Sequence, residues 1–139
     1  MADSRDKVTP EMIALARRAM AQAYAPYSKF AVGAVLRGAK GKLYAGCNVE
    51  NAAYPQGCCA EASAISAMVL DGERRIISVL IMGQGPQLIA PCGGCRQRLR
   101  EFAEETTPIH LCGTEGLRHT VSLGELLPFA FGPENLDAG

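Results

Sequence analysis

The chain has 139 residues, a common length for one domain and long enough to bury a core without disulfide or metal staples. Nearly half of the residues are apolar and a fifth are charged, as in a soluble globular protein. Fourteen basic side chains balance fourteen acidic ones, which excludes a long-range attraction to nucleic acid or an anionic membrane and favours a small uncharged ligand or a protein partner. The opening MADSRDKVTPEM has no apolar centre and no small-residue cleavage pattern, so no signal peptide is expected. Apolar runs such as Ile76–Met82 are too short to span a bilayer. With no repeat, low-complexity tract or linker, residues 1–139 are expected to form one domain of a cytoplasmic protein.

Thr9-Pro10-Glu11 is a helix start, with a hydroxyl N-cap, proline at the first helical position and an acid in the first turn. Met12, Ala16, Ala19, Met20 and Ala23 follow at helical spacing until Pro26. Residues 31–37 and 42–48 are β-type segments around GAKG, a predicted hairpin. A second helix is predicted from Cys59 to Asp71, with Gly72 as its stop and Glu61, Ile65, Met68 and Val69 on one face. RIISVLIM suits a strand buried on both faces, and GQGPQL a loop. A third helix, from Cys92 to about Glu104, lines up Cys92, Cys95, Leu99 and Phe102. Residues 107–112 form another strand, and SLGELLP a last short helix. The expected fold is α/β, a three-layer α/β/α sandwich around a mixed sheet of about five strands.

The six cysteines are Cys47, Cys58, Cys59, Cys92, Cys95 and Cys112. In a cytoplasmic chain, the C-x-x-C of APCGGCRQ favours metal or redox chemistry over disulfides, although free cysteines are often only small buried hydrophobes. Two thiolates at i and i+3 on a first helical turn can grip one metal, and the unpaired amides and dipole of that turn favour the thiolate form. Cys59 also opens a helix, so a metal between two helix tips could collect all three sulfurs. Glu61 heads an otherwise apolar stripe, where a carboxylate is costly unless paired or used. Three thiolates and a non-ligand acid describe an open zinc site, in which a water takes the fourth position and becomes acidic enough to supply hydroxide at neutral pH. Glu61 could then carry protons between that water and a substrate. The alternative is a closed structural site with Cys58, Cys112 or His110 as fourth ligand. Cys47 and Cys112 otherwise read as core thiols, and the two histidines as surface or satisfied polar residues on a strand and in a loop.

C-A-E followed by P-C-G-G-C-R resembles the zinc-dependent nucleoside deaminases. YAPYSKFAVGA (residues 24–34), GCNVENAAYP (46–55) and ELLPFAFGPENL (125–136) extend the resemblance, nearly end to end, to the small homotetrameric cytidine deaminases. That resemblance implies one Zn2+ per subunit on Cys59, Cys92 and Cys95, with Glu61 as proton shuttle during attack at C4 of cytosine. It also implies Asn48 and Glu50 as ligands of the ribose hydroxyls, Phe30 and Phe131 around the base, the Ala60 backbone at the base edge, and Tyr54 reaching a neighbouring subunit's pocket. Without the resemblance, Asn48 and Glu50 read as a solvated loop and the two phenylalanines as core. Many three-cysteine members carry an arginine directly after the glutamate, hydrogen-bonded to ligand sulfurs; here that position is Ala62, and Arg96 with the helix-tip amides is the expected compensation. Phe129 stands where many relatives have a smaller residue, so a different pocket rim is expected.

The function implied is hydrolysis of cytidine and 2′-deoxycytidine to the uridines, with release of ammonia. A cytosine-bearing antibiotic nucleoside is an alternative substrate, against which the Asn48-x-Glu50 pair argues. A polynucleotide-editing deaminase would need a basic stripe or stacking platform, and a nucleotide substrate a phosphate clamp; neither is evident. A zinc-stabilised binding module without catalysis is the remaining class.

Overall fold

The computed structural model describes residues 7–136. Residues 1–6, on which the signal-peptide reading partly rests, lie outside that range. Helix α1 (Pro10–Ala21) starts as expected: the Thr9 hydroxyl accepts a hydrogen bond from the Met12 amide at 3.3 Å, and Pro10 takes the first turn. It ends before Pro26, because the chain is drawn elsewhere. Tyr24 donates its amide to the Asn48 carbonyl at 2.9 Å and accepts from the Glu50 amide at 2.8 Å, forming a short parallel bridge with Val49.

Strands β1 (Val32–Gly38) and β2 (Leu43–Cys47) make the expected hairpin. Gly41 turns it, at φ +93°, a backbone conformation that L side chains rarely adopt. Helix α2 (Ala60–Leu70) has Cys59 as its N-cap, and Gly72 follows its end at φ +89°. Strand β3 (Ile76–Gly83) is buried on both faces over nearly its whole length. Helix α3 (Gly93–Phe102) stops short of Glu104, whose amide donates to the Thr107 hydroxyl at 3.0 Å instead of continuing the helix. Strands β4 (Pro108–Gly113) and β5 (Gly116–Ser122) follow, and His119 falls in β5 rather than in a loop. Helix α4 (Leu123–Leu126) opens with a reciprocal capping box between Ser122 and Glu125.

The strands form one five-stranded sheet in the order β2-β1-β3-β4-β5, with β3 and β4 parallel and the other neighbours antiparallel. Strand alternation sends Val35, Leu80, Met82 and Cys112 to one face, where Met12 and Ala16 of α1 cover them. Ala34, Leu36, Val79, Ile81, Ile109 and Leu111 face the other way, onto Ala64, Ile65 and Met68 of α2 and Leu99 of α3. This is the expected three-layer arrangement around a mixed sheet. No helix among the described residues is long and apolar enough to cross a membrane.

Topology gathers one end of the sheet. Because β1 is antiparallel to both neighbours, its first residues lie beside the last of β2 and β3: Gly33 opposite Cys47, and Val32 opposite Gly83. The segments leaving β2 and β3 therefore start on the same side, and each delivers a helix N-terminus first. The approach of α2 depends on Gly46. A Cβ there would sit 2.4 Å from the Ala64 amide nitrogen and 2.5 Å from the Ala60 carbonyl oxygen, both helix backbone. Gly46→Ala should therefore force α2 off the sheet and cost about 2 kcal/mol of stability, read as a lower urea midpoint at unchanged slope.

Candidate metal centre

Cys59 and Cys92 are the N-caps of α2 and α3, and neither side chain is spent on capping its helix. Cys95 lies in the first turn of α3. The three sulfurs are all within 4.8 Å of one another, at the tips of two helices whose first amides lack intrahelical partners. Cys95 is buried, Cys59 half-buried and Cys92 exposed, so the cluster has a closed side and an open side.

Their proton affinities differ with that gradient. The Cys92 thiol is held below its ordinary value, chiefly by a hydrogen bond from the Cys95 backbone amide. Burial pushes Cys59 up, and pushes Cys95 up further with the charge of Glu61 adding to it. Three thiolates this close repel one another unless a cation joins them. A dication supplies that attraction, and three soft sulfur donors in a compact triangle suit zinc.

Glu61, the second residue of α2, is only 4% exposed. Burial pushes its carboxyl above the usual carboxylate range, against smaller opposing effects from its own backbone amide, the Cys95 thiol and the charge of Arg98. It is thus a carboxyl able to keep or release a proton nearer neutrality than a solvated one. The alternative fourth ligands are placed elsewhere. Among the described residues no further cysteine or histidine joins the triangle. The Cys58 thiol is exposed and directed to the Cys59 carbonyl at 3.6 Å. Cys112 belongs to the opposite face of the sheet under α1, and His110 is bonded to the Thr120 hydroxyl at 2.9 Å.

The segment expected to hold a sugar is tied directly to the ligand segment. Val49 and Cys58 exchange two backbone hydrogen bonds of 2.8 Å, one residue ahead of Cys59. Glu50 is more engaged than a solvated loop residue. One carboxylate oxygen accepts the amides of Tyr27 and Ser28, each at 3.0 Å, and the other accepts the Ser28 hydroxyl. The Ser28 hydroxyl bond leads in holding Glu50 below its ordinary carboxylate range. Asn48 is also committed to structure: its Oδ1 accepts from the Val32 amide and its Nδ2 donates to the Phe30 carbonyl, both at 2.9 Å. Tyr27, Ser28, Glu50, Asn51, Tyr54 and Gly57 line an open groove of about 360 Å³.

Phe30 is half-buried and lies over Gly83, and Ala60 is buried beside Glu61. Tyr54 is 75% exposed, with its ring tilted against that of Tyr27. Phe131 and Phe129 are exposed rather than core. Phe131 lines a separate groove with Gln97 and Leu136, so the folded chain does not bring it to the groove beneath Tyr54. Phe129 adopts φ 53°, an unusual backbone for a bulky residue.

Arg98 and Ser28 stand at the site although the sequence alone did not point to them. Arg96 is directed away from the sulfurs, donating to the carbonyls of Pro91 at 2.7 Å and Leu126 at 2.9 Å. The guanidinium on a ligand sulfur is that of Arg98, whose Nη1 lies 3.9 Å from Cys95 Sγ. Its i+3 spacing from Cys95 on a predicted helix was the available signal. Ser28 carried none, since its partner is 22 positions away.

Purified protein should carry one zinc per chain by elemental analysis. Cys95→Ala should lose it, whereas Cys58→Ser should keep it; loss from the second would mean a closed four-sulfur site. Asn48→Ala removes the two bonds that hold residues 30–32, and should lower stability by about 1–2 kcal/mol in urea titrations.

Residues 7–111 match the family described as "Cytidine and deoxycytidylate deaminase zinc-binding region". Among curated proteins, the chain is 40% identical over 126 residues to the cytidine deaminase of Sporosarcina psychrophila, covering 91% of this chain and 93% of that protein. It is 39% identical over 125 residues to the cytidine deaminase of Mycobacterium tuberculosis, covering 87% of each. Among solved structures, that of cytidine deaminase from Burkholderia pseudomallei superposes with a TM-score of 0.82 at 39% identity, covering 90% of this chain and all of that one.

Proposed function

The chain belongs to the cytidine and deoxycytidylate deaminase zinc-binding family, and we propose from this that it hydrolyses cytidine and 2′-deoxycytidine to uridine and 2′-deoxyuridine, releasing ammonia. The observation that carries the reading is the buried carboxyl of Glu61 beside a triangle of three sulfurs that lacks a fourth cysteine or histidine among the described residues. Cys59, Cys92 and Cys95 would hold Zn2+. When bound, it supplies a Lewis acid that makes water a usable nucleophile at neutral pH.

The remaining work falls to side chains. Glu61 accepts a proton from the attacking water and passes it to ring N3 as the C4–O bond forms, then takes the remaining proton from the C4 hydroxyl and gives it to the amino group as the C4–N bond breaks and ammonia leaves. A carboxyl raised by burial suits this role, because it must both take and return the proton. Glu50 receives a ribose hydroxyl with the acceptor capacity that Ser28 and Tyr27 leave unused, since an ionised carboxylate offers about four lone-pair sites. Asn48 donates its second amide proton to the sugar while holding Phe30 in place through the first. Phe30 packs against the base with Phe131 of a neighbouring copy, and the Ala60 backbone meets its polar edge.

Self-association supports the same site. Tyr54, Phe129, Phe131 and Leu136 leave large apolar surfaces in solvent, the kind of area that a second copy covers. In a homotetramer Tyr54 would reach a neighbour's pocket, and Phe131 would serve a site away from its own groove. The chain would work as one domain in the cytoplasm, in pyrimidine salvage. Its balanced charge supports a nucleoside rather than a nucleic acid polymer.

The test is ammonia release from cytidine by the wild type and by Glu61→Ala, with zinc measured on both. The expected result is equal zinc and a rate lower by about 100- to 10,000-fold in the variant. Zinc in both proteins with no turnover of cytidine by either would remove the reading and leave an antibiotic cytosine nucleoside as substrate or, failing that, a structural zinc module.

A further inference from the structure

Three thiolates on one dication carry a formal charge of minus one, and Glu61 adds an acidic group beside the Cys95 sulfur. Such a site binds zinc less readily at neutral pH and leaves the metal a weaker Lewis acid, unless a fixed positive charge lies alongside. The helix amides contribute partial charge only. A whole charge is present on α3: the guanidinium of Arg98, one helical turn from Cys95, with Nη1 3.9 Å from that ligand's sulfur.

Arg98 is placed to act there. It enters no ion pair among the described residues, whereas Arg75, Arg100 and Arg118 are each paired with a glutamate. It lies in an open groove of about 420 Å³ between α2 and α3, and Ala62 lines the facing wall. The small side chain at 62 leaves that space to the arginine from the other helix.

We propose that Arg98 is a positioning residue of the metal centre, whose fixed charge on Cys95 offsets the surplus negative charge of the three-thiolate site. It touches no substrate and acts through the sulfur. The inference rests on the zinc-hydrolase reading for its catalytic part, but its effect on metal binding stands apart from any substrate. Zinc binding gathers three thiolates on one metal, so a cation held beside one of the sulfurs favours the loaded form.

The experiment compares wild type, Arg98→Gln, Arg98→Lys and the double variant Arg98→Gln with Ala62→Arg, first for zinc affinity by chelator competition. Glutamine keeps much of the length and a donor but removes the charge. Arg98→Gln should bind zinc about tenfold more weakly, and when fully loaded should show kcat lower by about tenfold with KM for cytidine little changed. Lysine should recover most of both losses, and so should the arginine brought to 62 across the groove. Equal melting temperatures of the zinc-free proteins would separate these effects from folding. Wild-type zinc affinity in Arg98→Gln, or failure of both rescues, would overturn the proposal. If the wild type binds zinc but turns over no cytidine, the functional reading fails alone, and the affinity series still decides the role of Arg98.

Discussion

Three sulfurs within 4.8 Å, with a buried carboxyl against them, make an arrangement that repels itself as soon as the groups ionise. Holding it together requires rigid elements that cannot relax apart. The antiparallel β1 places the ends of β2 and β3 at one edge of the sheet, and α2 and α3 then begin there. The backbone-to-backbone approach at Gly46 sets the height of α2, while Leu99 seats α3 in the same core as Ile65 and Met68 of α2. The apolar layer therefore does more than stabilise. It resists the electrostatic separation of the groups at its edge, and a dication then converts that repulsion into attraction.

The same end of the sheet explains how the segment of residues 48–50 is held by backbone pairing although part of it is exposed. Residues 48–50 pair on one side with Tyr24 and on the other with Cys58, so a short strip of backbone connects the segment after α1, the candidate sugar ligands and the first metal ligand. Glu50 ties down residues 27 and 28 from within this strip, and Asn48 ties down residues 30 and 32. A polar side chain that already satisfies its surroundings loses little further freedom when a ligand arrives, which is what preorganisation means in energetic terms. Affinity for a small nucleoside would then owe as much to these internal bonds as to direct contacts.

Local signals in the chain predicted most of the elements, because their causes are local. The Thr9-Pro10 start, the glycine after α2 and the doubly buried β3 each follow from neighbouring residues. The misplaced ends have distant causes: α1 is cut short by pairing with residues 48–50, and α3 by the Thr107 hydroxyl. The triangle of sulfurs was legible from spacing, since Cys59 and Cys92 each precede a helix and Cys95 falls in the first turn that follows. The partners of Glu50 were not, nor was the commitment of Asn48 to the backbone of residues 30 and 32, because both depend on the fold bringing remote segments together. Phe131 shows the opposite case: its role was inferred from a resemblance, and the single chain holds it beside Gln97, away from the groove of Tyr54.

Charge around the sulfurs is the point at which sequence adjacency and spatial adjacency part. Positions 62 and 98 are far apart along the chain but line one groove, from α2 and α3 respectively. Electrostatics depends on distance to the sulfur and on the medium between, not on which helix carries the cation. Alanine at 62 therefore says nothing by itself about the charge of the centre. It lines the groove beside Arg98, whose guanidinium Nη1 lies 3.9 Å from Cys95 Sγ. Arg96, nearer to Cys95 in sequence, is held by two carbonyls and contributes to the joint between α3 and α4 instead. The arginine next to Cys95 in sequence is therefore not the one beside its sulfur, because side chains at i+1 and i+3 leave a helix in different directions.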